Sequence, residues 1–393
     1  MVYATFFRYN PKMKKTELFI IIYMITVLLS VMYATQPLQP LLANEFDVSM
    51  TKASSFTAVI MLFLAISPII YGYILESVKT RTVLITASVS LFFTNLALSF
   101  SNTYEMFLTI RTIEAIIIPA ILTGSMSVLA SDKEKTKVNM SIYVAATVFG
   151  GLVGRVFSGF IAEHFGWRMV FFSLSLALLI VLFLIRKLHF GRDTDMVKPT
   201  FKDVTNILKD KRFVVIYSLM FTIFFVFAGL LNILPFRIKE LVPDTSETQI
   251  GLLYLGYGMG IIVSLTIHKI VNIFKKELRA IMFGIFIFFV STTCFFSHNA
   301  LFLFGSVFLF CVGMFIVHTL STRIANSLKA SQKALTSGMY LSFYYIGGAV
   351  GSIIPSLVYE KFGWYNTILM FIILLIFIFS FIFFNRKIYK DFN

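Results

Sequence analysis

Twelve stretches of about twenty mostly apolar residues follow one another along this chain, and nothing else in it constrains the fold as tightly. They run over 18–43, 53–75, 82–100, 105–130, 139–162, 168–187, 213–236, 249–271, 279–297, 300–323, 335–358 and 364–384. A helix of about 20 residues crosses the ~30 Å of hydrocarbon in a bilayer, so each stretch is long enough to span. Apolar side chains make up 58% of 393 residues and charged ones only 13%, with a mean hydropathy of +0.86. A water-soluble domain of this length has no interior for that much apolar surface. The short segments of alternating polarity that build a membrane β-barrel are absent. The expected fold class is an all-α membrane protein with twelve transmembrane helices.

The net charge of +15 raises a nucleic-acid surface as one explanation, and the placement of the 34 Lys and Arg residues removes it. With the N-terminus inside, the inner segments hold 27 of them, including eight at 186–212. The outer segments hold five: Lys52, Arg168, Arg237, Lys239 and Lys361. Arg111 and Arg155 lie within spans. Lys and Arg gather on cytoplasmic loops, so the expectation is a multi-pass protein of the cytoplasmic (inner) membrane with both termini in the cytoplasm. The charge is a topology signal, and no nucleic acid is expected as a partner. The first apolar stretch follows Lys12, Lys14 and Lys15 as a signal peptide would, but runs past the usual core length without a cleavage site; it reads as an uncleaved first span. Cys294 and Cys311 both fall in spans and read as buried thiols.

A long polar stretch over 188–212 sits near the midpoint, and the chain repeats itself across it. Tyr143, the run Gly150-Gly151-Leu152-Val153-Gly154 and Glu163-His164-Phe165-Gly166-Trp167 recur as Tyr340, Gly347-Gly348-Ala349-Val350-Gly351 and Glu360-Lys361-Phe362-Gly363-Trp364, at a constant offset of 197 residues. An offset of half the chain, with six spans on each side, implies two pseudo-symmetric six-helix bundles. The expected domains are 1–187, a cytoplasmic linker over 188–212, and 213–393. Both Trp residues are expected at the outer water boundary, where amphipathic rings settle.

The six-plus-six plan, the basic central loop and several local motifs resemble the major facilitator superfamily over essentially the whole chain. Tyr33-Ala34-Thr35-Gln36-Pro37-Leu38-Gln39-Pro40-Leu41-Leu42, the run Gly150 to Arg155 with Phe165-Gly166-Trp167-Arg168, and the segment from His318 to Tyr344-Tyr345 are similar to its YnfM-type branch of efflux permeases. The segment Gly72 to Arg81 resembles the superfamily's loop 2–3 motif, with Gly72 first, Glu76 in the acidic place and Arg81 as the final base; Lys79 stands at its second Gly and Thr80 at one base. The resemblance implies that Glu76 latches the inner ends of the halves together; a solvated loop carboxylate is the other reading. Ala146 to Arg155 resembles the antiporter motif of family exporters, with Gly151 for its Pro and Arg155 for its last Gly. Arg111-Thr112-Ile113-Glu114-Ala115 resembles the span-4 motif tied in the family to proton coupling, with Glu for Gln and Ala for Gly.

Ionisable groups in spans are costly, about 2.5–3.5 kcal/mol each on the insertion scale, so Arg111, Glu114 and Arg155 must face protein or water. Arg111 and Glu114 are three apart on one helix, share a face and are placed to pair. The two arginines fall at similar depth, which leaves Arg155 as a surplus cation for a substrate, or for helix carbonyls and an outer acid such as Glu163. Glu114 is either a proton carrier that exchanges against substrate on Arg111 or a permanent structural partner of it. In the second half, residue 308, opposite Arg111, is Phe; the polar candidates there are Asn232, His318, Tyr340, Tyr344 and Tyr345. Tyr340 and Tyr344 share a helix face. Gln36 and Gln39 beside Pro37 and Pro40 suggest an interrupted upper first span. Ala146, Gly150, Gly154 and Ser158 recur every fourth residue, the small-residue pattern that lets helices approach closely, with Gly150, Gly151 and Gly154 as candidate gating positions and Gly347 and Gly351 as counterparts.

The chain has no G-x-x-x-x-G-K-[ST] loop and no soluble domain for an ATPase, no metal-ligand cluster and no nucleophile–base pair. The expected function is therefore not enzymatic and needs no cofactor. It is secondary transport of a small molecule by alternating access in a monomer, with proton-coupled efflux of a drug or metabolite first and proton-coupled uptake of a small anion as the alternative. A non-transporting sensor of the same fold is a third class. The expected partners are substrate, protons and the lipid bilayer.

Overall fold

The computed structural model describes residues 14–130, 135–188, 201–329 and 333–392. No strand occurs among them. The helices are α1 (Lys15–Tyr33), α2 (Gln39–Glu45), α3 (Met50–Ser77), α4 (Thr80–Leu98), α5 (Tyr104–Ala130), α6 (Thr136–Phe165), α7 (Trp167–Ile185), α8 (Phe201–Lys209), α9 (Lys211–Leu241), α10 (Glu247–Leu252), α11 (Met259–Phe274), α12 (Glu277–Cys294), α13 (Ala300–Ser327) and α14 (Lys333–Asn385). Eleven helical units are long and apolar enough to span a membrane, and α14, the last of these, breaks at Gly363 into two arms, so the chain crosses twelve times. An even number of crossings puts the start of α1 and the end of α14 on one face, and the other is called the far face below. Large side chains such as Leu265, Ile273, Leu301 and Phe384 are more than two-thirds exposed on the outer surface, as a lipid-facing belt requires.

Two of the spans are interrupted, the first of them where Pro37 and Pro40 suggested. The first span is split: α1 stops at Tyr33, a non-helical turn runs over 34–38, and α2 resumes with Pro40 in its first turn. The eighth is split as well, α10 passing into α11 through a 3-10 segment, Leu253–Gly258. Residues 189–200 of the linker lie outside the described residues, and its end forms the short helix α8.

The repeat seen in the sequence is a repeat in space. Gly166 and Gly363, 197 apart, both hold positive φ (86° and 79°) with extended ψ, a region open essentially to glycine alone. Each turns the chain between two crossings, and each aims the following Trp into its bundle. Trp167 and Trp364 thus stand at the ends of crossings, and both are buried in protein, 4% and 6% exposed. Trp167 packs on Phe46, Phe107 and Phe171, and the Trp364 indole donates to the Phe295 carbonyl at 2.7 Å.

The small-residue stripes do what their spacing implied. A methyl group on Gly154 would lie 2.4 Å from Ser30 Cα, and one on Gly150 2.8 Å from Thr26 Cα, so α6 presses backbone to backbone on α1. In the second bundle Gly351 and Gly347 stand the same way against Phe225 and Phe221 of α9. The Ser30 hydroxyl adds a 3.2 Å bond to the Gly150 carbonyl. Each bundle is thus clamped around its first helix by glycines of its fifth. Gly154→Ala must push α1 and α6 apart and is expected to cost about 1–3 kcal/mol, the range for overpacking. Gly305→Ala on the exposed face of α13, where nothing lies within 4 Å, is expected to be neutral. Thermal unfolding of the two variants in detergent checks the contrast.

Candidate functional site

The break in α1 organises the centre of the molecule. A helix that stops leaves its last carbonyls without intrahelical partners, and within a membrane those groups need a donor from the protein. Arg111 on α5 supplies it: Nη1 donates to the Val31 carbonyl and Nη2 to that of Met32, both at 3.1 Å, with Thr35 Oγ1 at 3.4 Å. Nη1 also pairs with Glu114 Oε2 at 2.6 Å. The other oxygen of Glu114 accepts from Asn95 Nδ2 at 2.7 Å and from Thr94 Oγ1 at 3.2 Å, both on α4. Arg111 and Glu114 are fully buried. The pair stands enclosed among α1, α4 and α5 inside the first bundle.

Arg155 meets the same break from the other side. It rises from α6 and is 2% exposed. Its Nε donates to Gln36 Oε1 at 2.6 Å and Nη1 to the Gly151 carbonyl at 2.8 Å. Three tyrosine rings surround the guanidinium, with centroids at 3.8 Å for Tyr33, 4.6 Å for Tyr257 and 5.2 Å for Tyr254. Tyr254 and Tyr257 sit in the 3-10 segment of the second bundle, where residues three apart eclipse one another, so both rings reach the same cation. Among the described residues Arg155 has no carboxylate partner. Glu163 accepts instead from the Thr248 backbone N–H at 3.0 Å.

Arg111, Glu114 and Arg155, which the sequence places within spans of the first bundle, thus divide. Arg155 touches the second bundle, whereas Arg111 and Glu114 are held behind α1. Similar depth for the two guanidinium groups is consistent with both reaching the residues of one short turn.

Gln39, just past the break, crosses to the other bundle. Its Nε2 donates to Asn232 Oδ1 of α9 at 2.5 Å and to Thr57 Oγ1 of α3 at 2.8 Å. Asn232 donates onward to the Ser352 carbonyl at 3.3 Å. Toward the far face, Ser54 and Ser356 share a 2.7 Å hydroxyl bond, and the backbone N–H and hydroxyl of Thr51 both donate to Glu360, at 2.8 and 2.6 Å. Beside them a cleft of about 420 Å³ is lined by residues of both bundles, among them Asn44, Met50, Lys239 and Glu247. In the second bundle the Tyr340 hydroxyl meets His318 Nδ1 at 3.1 Å, and Tyr344 stacks on Phe224 with centroids 3.6 Å apart and lies 4.9 Å from the His318 ring. Tyr340 and Tyr344 do share a face, and His318 lies across it.

The side chains of the latch candidates Gly72 and Glu76 lie outside the described residues, and Arg81 is exposed at the start of α4. Of the gating glycines, Gly150 and Gly154 pack on α1, and Gly151 lies against Tyr33 and the Arg155 side chain. The sequence reading passed over Tyr33, Tyr254, Tyr257 and the Ser54–Ser356 and Thr51–Glu360 contacts. The one available signal was the pair of tyrosines three apart beside Gly256 and Gly258, a poor fit to a uniform helix.

A family model described as Major Facilitator Superfamily matches residues 19–315 and 240–391. Among curated proteins, the chain is 23% identical over 357 residues to YybF of Bacillus subtilis (strain 168), an uncharacterized MFS-type transporter, covering 88% of this chain and 87% of that one. It is 22% identical over 342 residues to the inner membrane transport protein YnfM of Escherichia coli (strain K12), covering 85% and 82%. Among solved structures, a bacterial homolog of the human lysosomal transporter Spinster, inward-facing and unoccupied, superposes with a TM-score of 0.81 at 13% identity, over 97% of this chain and 99% of that one.

Breaking a buried ion pair from one side leaves an uncompensated charge, a loss of about 3 kcal/mol or more. Glu114→Gln is expected to destabilise the protein by that amount, and Arg111→Gln combined with Glu114→Gln to recover part of it. Thermal unfolding of both variants in detergent checks this, and a double variant no more stable than the single one would count against a coupled pair.

Proposed function

The chain belongs to the Major Facilitator Superfamily, whose members are transporters and not enzymes, and from that membership we propose that it moves a small molecule by alternating access between its two bundles. The moving bodies are 1–187 and 213–393, and the face carrying the termini is cytoplasmic, as the crowding of Lys and Arg on that side implies. The observation that carries the reading is that each bundle is clamped around its own first helix, by contacts that do not involve the seam between the bundles. Inside, glycine-clamped helices and a buried ion pair hold each bundle as one piece. Across the seam Gly159 of α6 presses on Glu247 and Gly251 of α10, and polar contacts join Ser54 to Ser356, Gln39 to Asn232, Thr51 to the Glu360 carboxylate and Thr248 to the Glu163 carboxylate. The neutral bonds contribute about 0.5–1.5 kcal/mol each, and those to a carboxylate about 1.5–3 kcal/mol. A seam of that kind parts without breaking either bundle.

The direction we assign is export, on the similarity of Tyr33 to Leu42 and of Gly150 to Arg155 to the YnfM-type branch, with the proton gradient as driving force. Glu114 is the proton carrier in this reading: it is the acid partner of Arg111, and Arg111 holds the carbonyls of the α1 break. Protonation of Glu114 weakens its pull on Arg111 and so reaches the turn that carries Gln36 and Gln39. Uptake would instead show as accumulation in whole cells and not in inverted vesicles.

A substrate-independent experiment tests the moving seam. With Cys294 and Cys311 replaced by Ala, Thr57→Cys reports access to the seam, and Ser54→Cys with Ser356→Cys forms an oxidisable lock where the hydroxyls now touch. A minor open state populated at about 0.1–10% is enough for an impermeant thiol reagent, added from the far face, to label position 57. Oxidising the lock is expected to slow that labelling by roughly tenfold or more, reversibly on reduction. Labelling that is absent, or unchanged by the lock, overturns the reading.

A further inference from the structure

We infer that Arg155 receives the charged end of the transported molecule, and that this molecule is an amphipathic organic anion, a carboxylate on an apolar or aromatic body. The inference rests on the alternating-access reading above and adds the substrate class to it.

The two buried arginines of the first bundle are in opposite electrostatic situations. Arg111 is matched by Glu114, and its fork is filled by that acid and two backbone carbonyls. Arg155 is just as deeply placed, yet its partners are neutral: one side-chain amide, one carbonyl and three tyrosine rings. A buried cation without an anion is costly, and ring faces return only part of that, up to about 2 kcal/mol for a desolvated contact. A carboxylate in the guanidinium fork makes two charge-assisted bonds, each roughly twice as strong as a neutral one. Arg155 is therefore the group in the centre of the protein with most to gain from an anion.

The shielding of Arg155 is tied to the seam. Tyr33, Gln36 and Gly151 belong to the first bundle and stay with the arginine, whereas Tyr254 and Tyr257 belong to the second. When the bundles part at the far face, two of the three rings leave the cation and the space they held opens beside it. An anion entering that space replaces the departing rings, so the ligand and the second bundle's tyrosines alternate on one guanidinium.

The wall facing Arg155 specifies the rest of the molecule. Tyr257 packs on Phe315 at 5.2 Å and on Phe227 at 6.2 Å between centroids, and all three are buried. This aromatic, uncharged surface offers contact to a hydrocarbon or ring body and nothing to a second charge. Organic cations are repelled by Arg155, and small polyols find few free polar groups on that wall.

Thermal unfolding of the purified full-length protein in detergent, at matched ionic strength, tests the inference with three probe sets that share their bodies. Benzoate and phenylacetate carry the carboxylate, benzylamine and phenethylamine the cation, and benzyl alcohol neither. A ligand that binds the folded state raises the apparent midpoint. The expected result is a saturable rise with the carboxylates alone, abolished by Arg155→Gln. Arg155→Lys keeps the charge without the fork and is expected to weaken the apparent affinity roughly tenfold. The far-face labelling at Thr57→Cys is expected to persist in both variants, which shows that they fold and move. A rise as large with the amines or the alcohol, a carboxylate rise that survives Arg155→Gln, or no saturable rise with either carboxylate overturns the inference. In each of those cases intact labelling leaves the transport reading standing, whereas lost labelling in the unsubstituted protein removes that reading itself.

Discussion

The rest of the structure depends on a helix that ends in the middle of a membrane. The first span stops at Tyr33 and restarts at Gln39, and five residues of non-helical backbone at that depth survive only if other groups satisfy them. Arg111 donates to the exposed carbonyls from within the first bundle, while Arg155 holds Gln36 and the Tyr33 ring from the side of the second. The two guanidinium groups divide the work by what they can reach. One supports backbone and is neutralised in place; the other supports side chains and carries its charge to the boundary between the bundles. Gln39, the first residue of α2, reaches across that boundary to Asn232. A single turn thereby joins the ion pair, the uncompensated cation and the seam.

Much of the fold was legible because membranes make sequence patterns blunt. Hydropathy marked twelve spans, and the 197-residue offset foretold the paired glycine turns at Gly166 and Gly363 and the paired clamps at Gly154 and Gly351. Those features are local or repeat with a fixed period. The partners of Arg155 were not legible. Tyr254 and Tyr257 lie in an apolar stretch where hydropathy treats them as filler, and only the 3-10 winding of Leu253–Gly258 brings both onto one cation. Ser54 and Ser356 are 302 residues apart, and no pattern within either helix announces that they meet. The burial of Trp167 and Trp364 in protein was not legible either, since it depends on the glycine turn before each one.

The duplication also shows where the two copies differ. At the 197-residue offset, Arg111 corresponds to Phe308, Glu114 to Cys311 and Arg155 to Ser352. The second bundle thus keeps the packing of the first, glycine clamp included, without its charges. In place of guanidinium and carboxylate it presents rings: Phe227 stacks on Phe310, Phe310 on Phe288, and Tyr344 on Phe224. Two scaffolds of one shape have come to offer opposite chemistry to whatever passes between them.

That asymmetry bears on how a cycle can run. If both bundles carried buried charge at the seam, parting them would mean separating opposite charges or exposing like ones, and the barrier would be electrostatic. Here parting the seam breaks hydrogen bonds, some of them to the Glu360 and Glu163 carboxylates, and two cation–ring contacts. The Arg111–Glu114 pair stays within one rigid body and is not pulled apart by the motion. In the proposed coupling, protonation of Glu114 acts instead on the turn that Arg111 braces, whose Gln36 touches Arg155 and which leads into Gln39, the partner of Asn232. Coupling in such an arrangement needs no charge to cross the seam: it needs only that the braced turn present Gln36 and Gln39 differently when the carboxylate beneath it changes its proton.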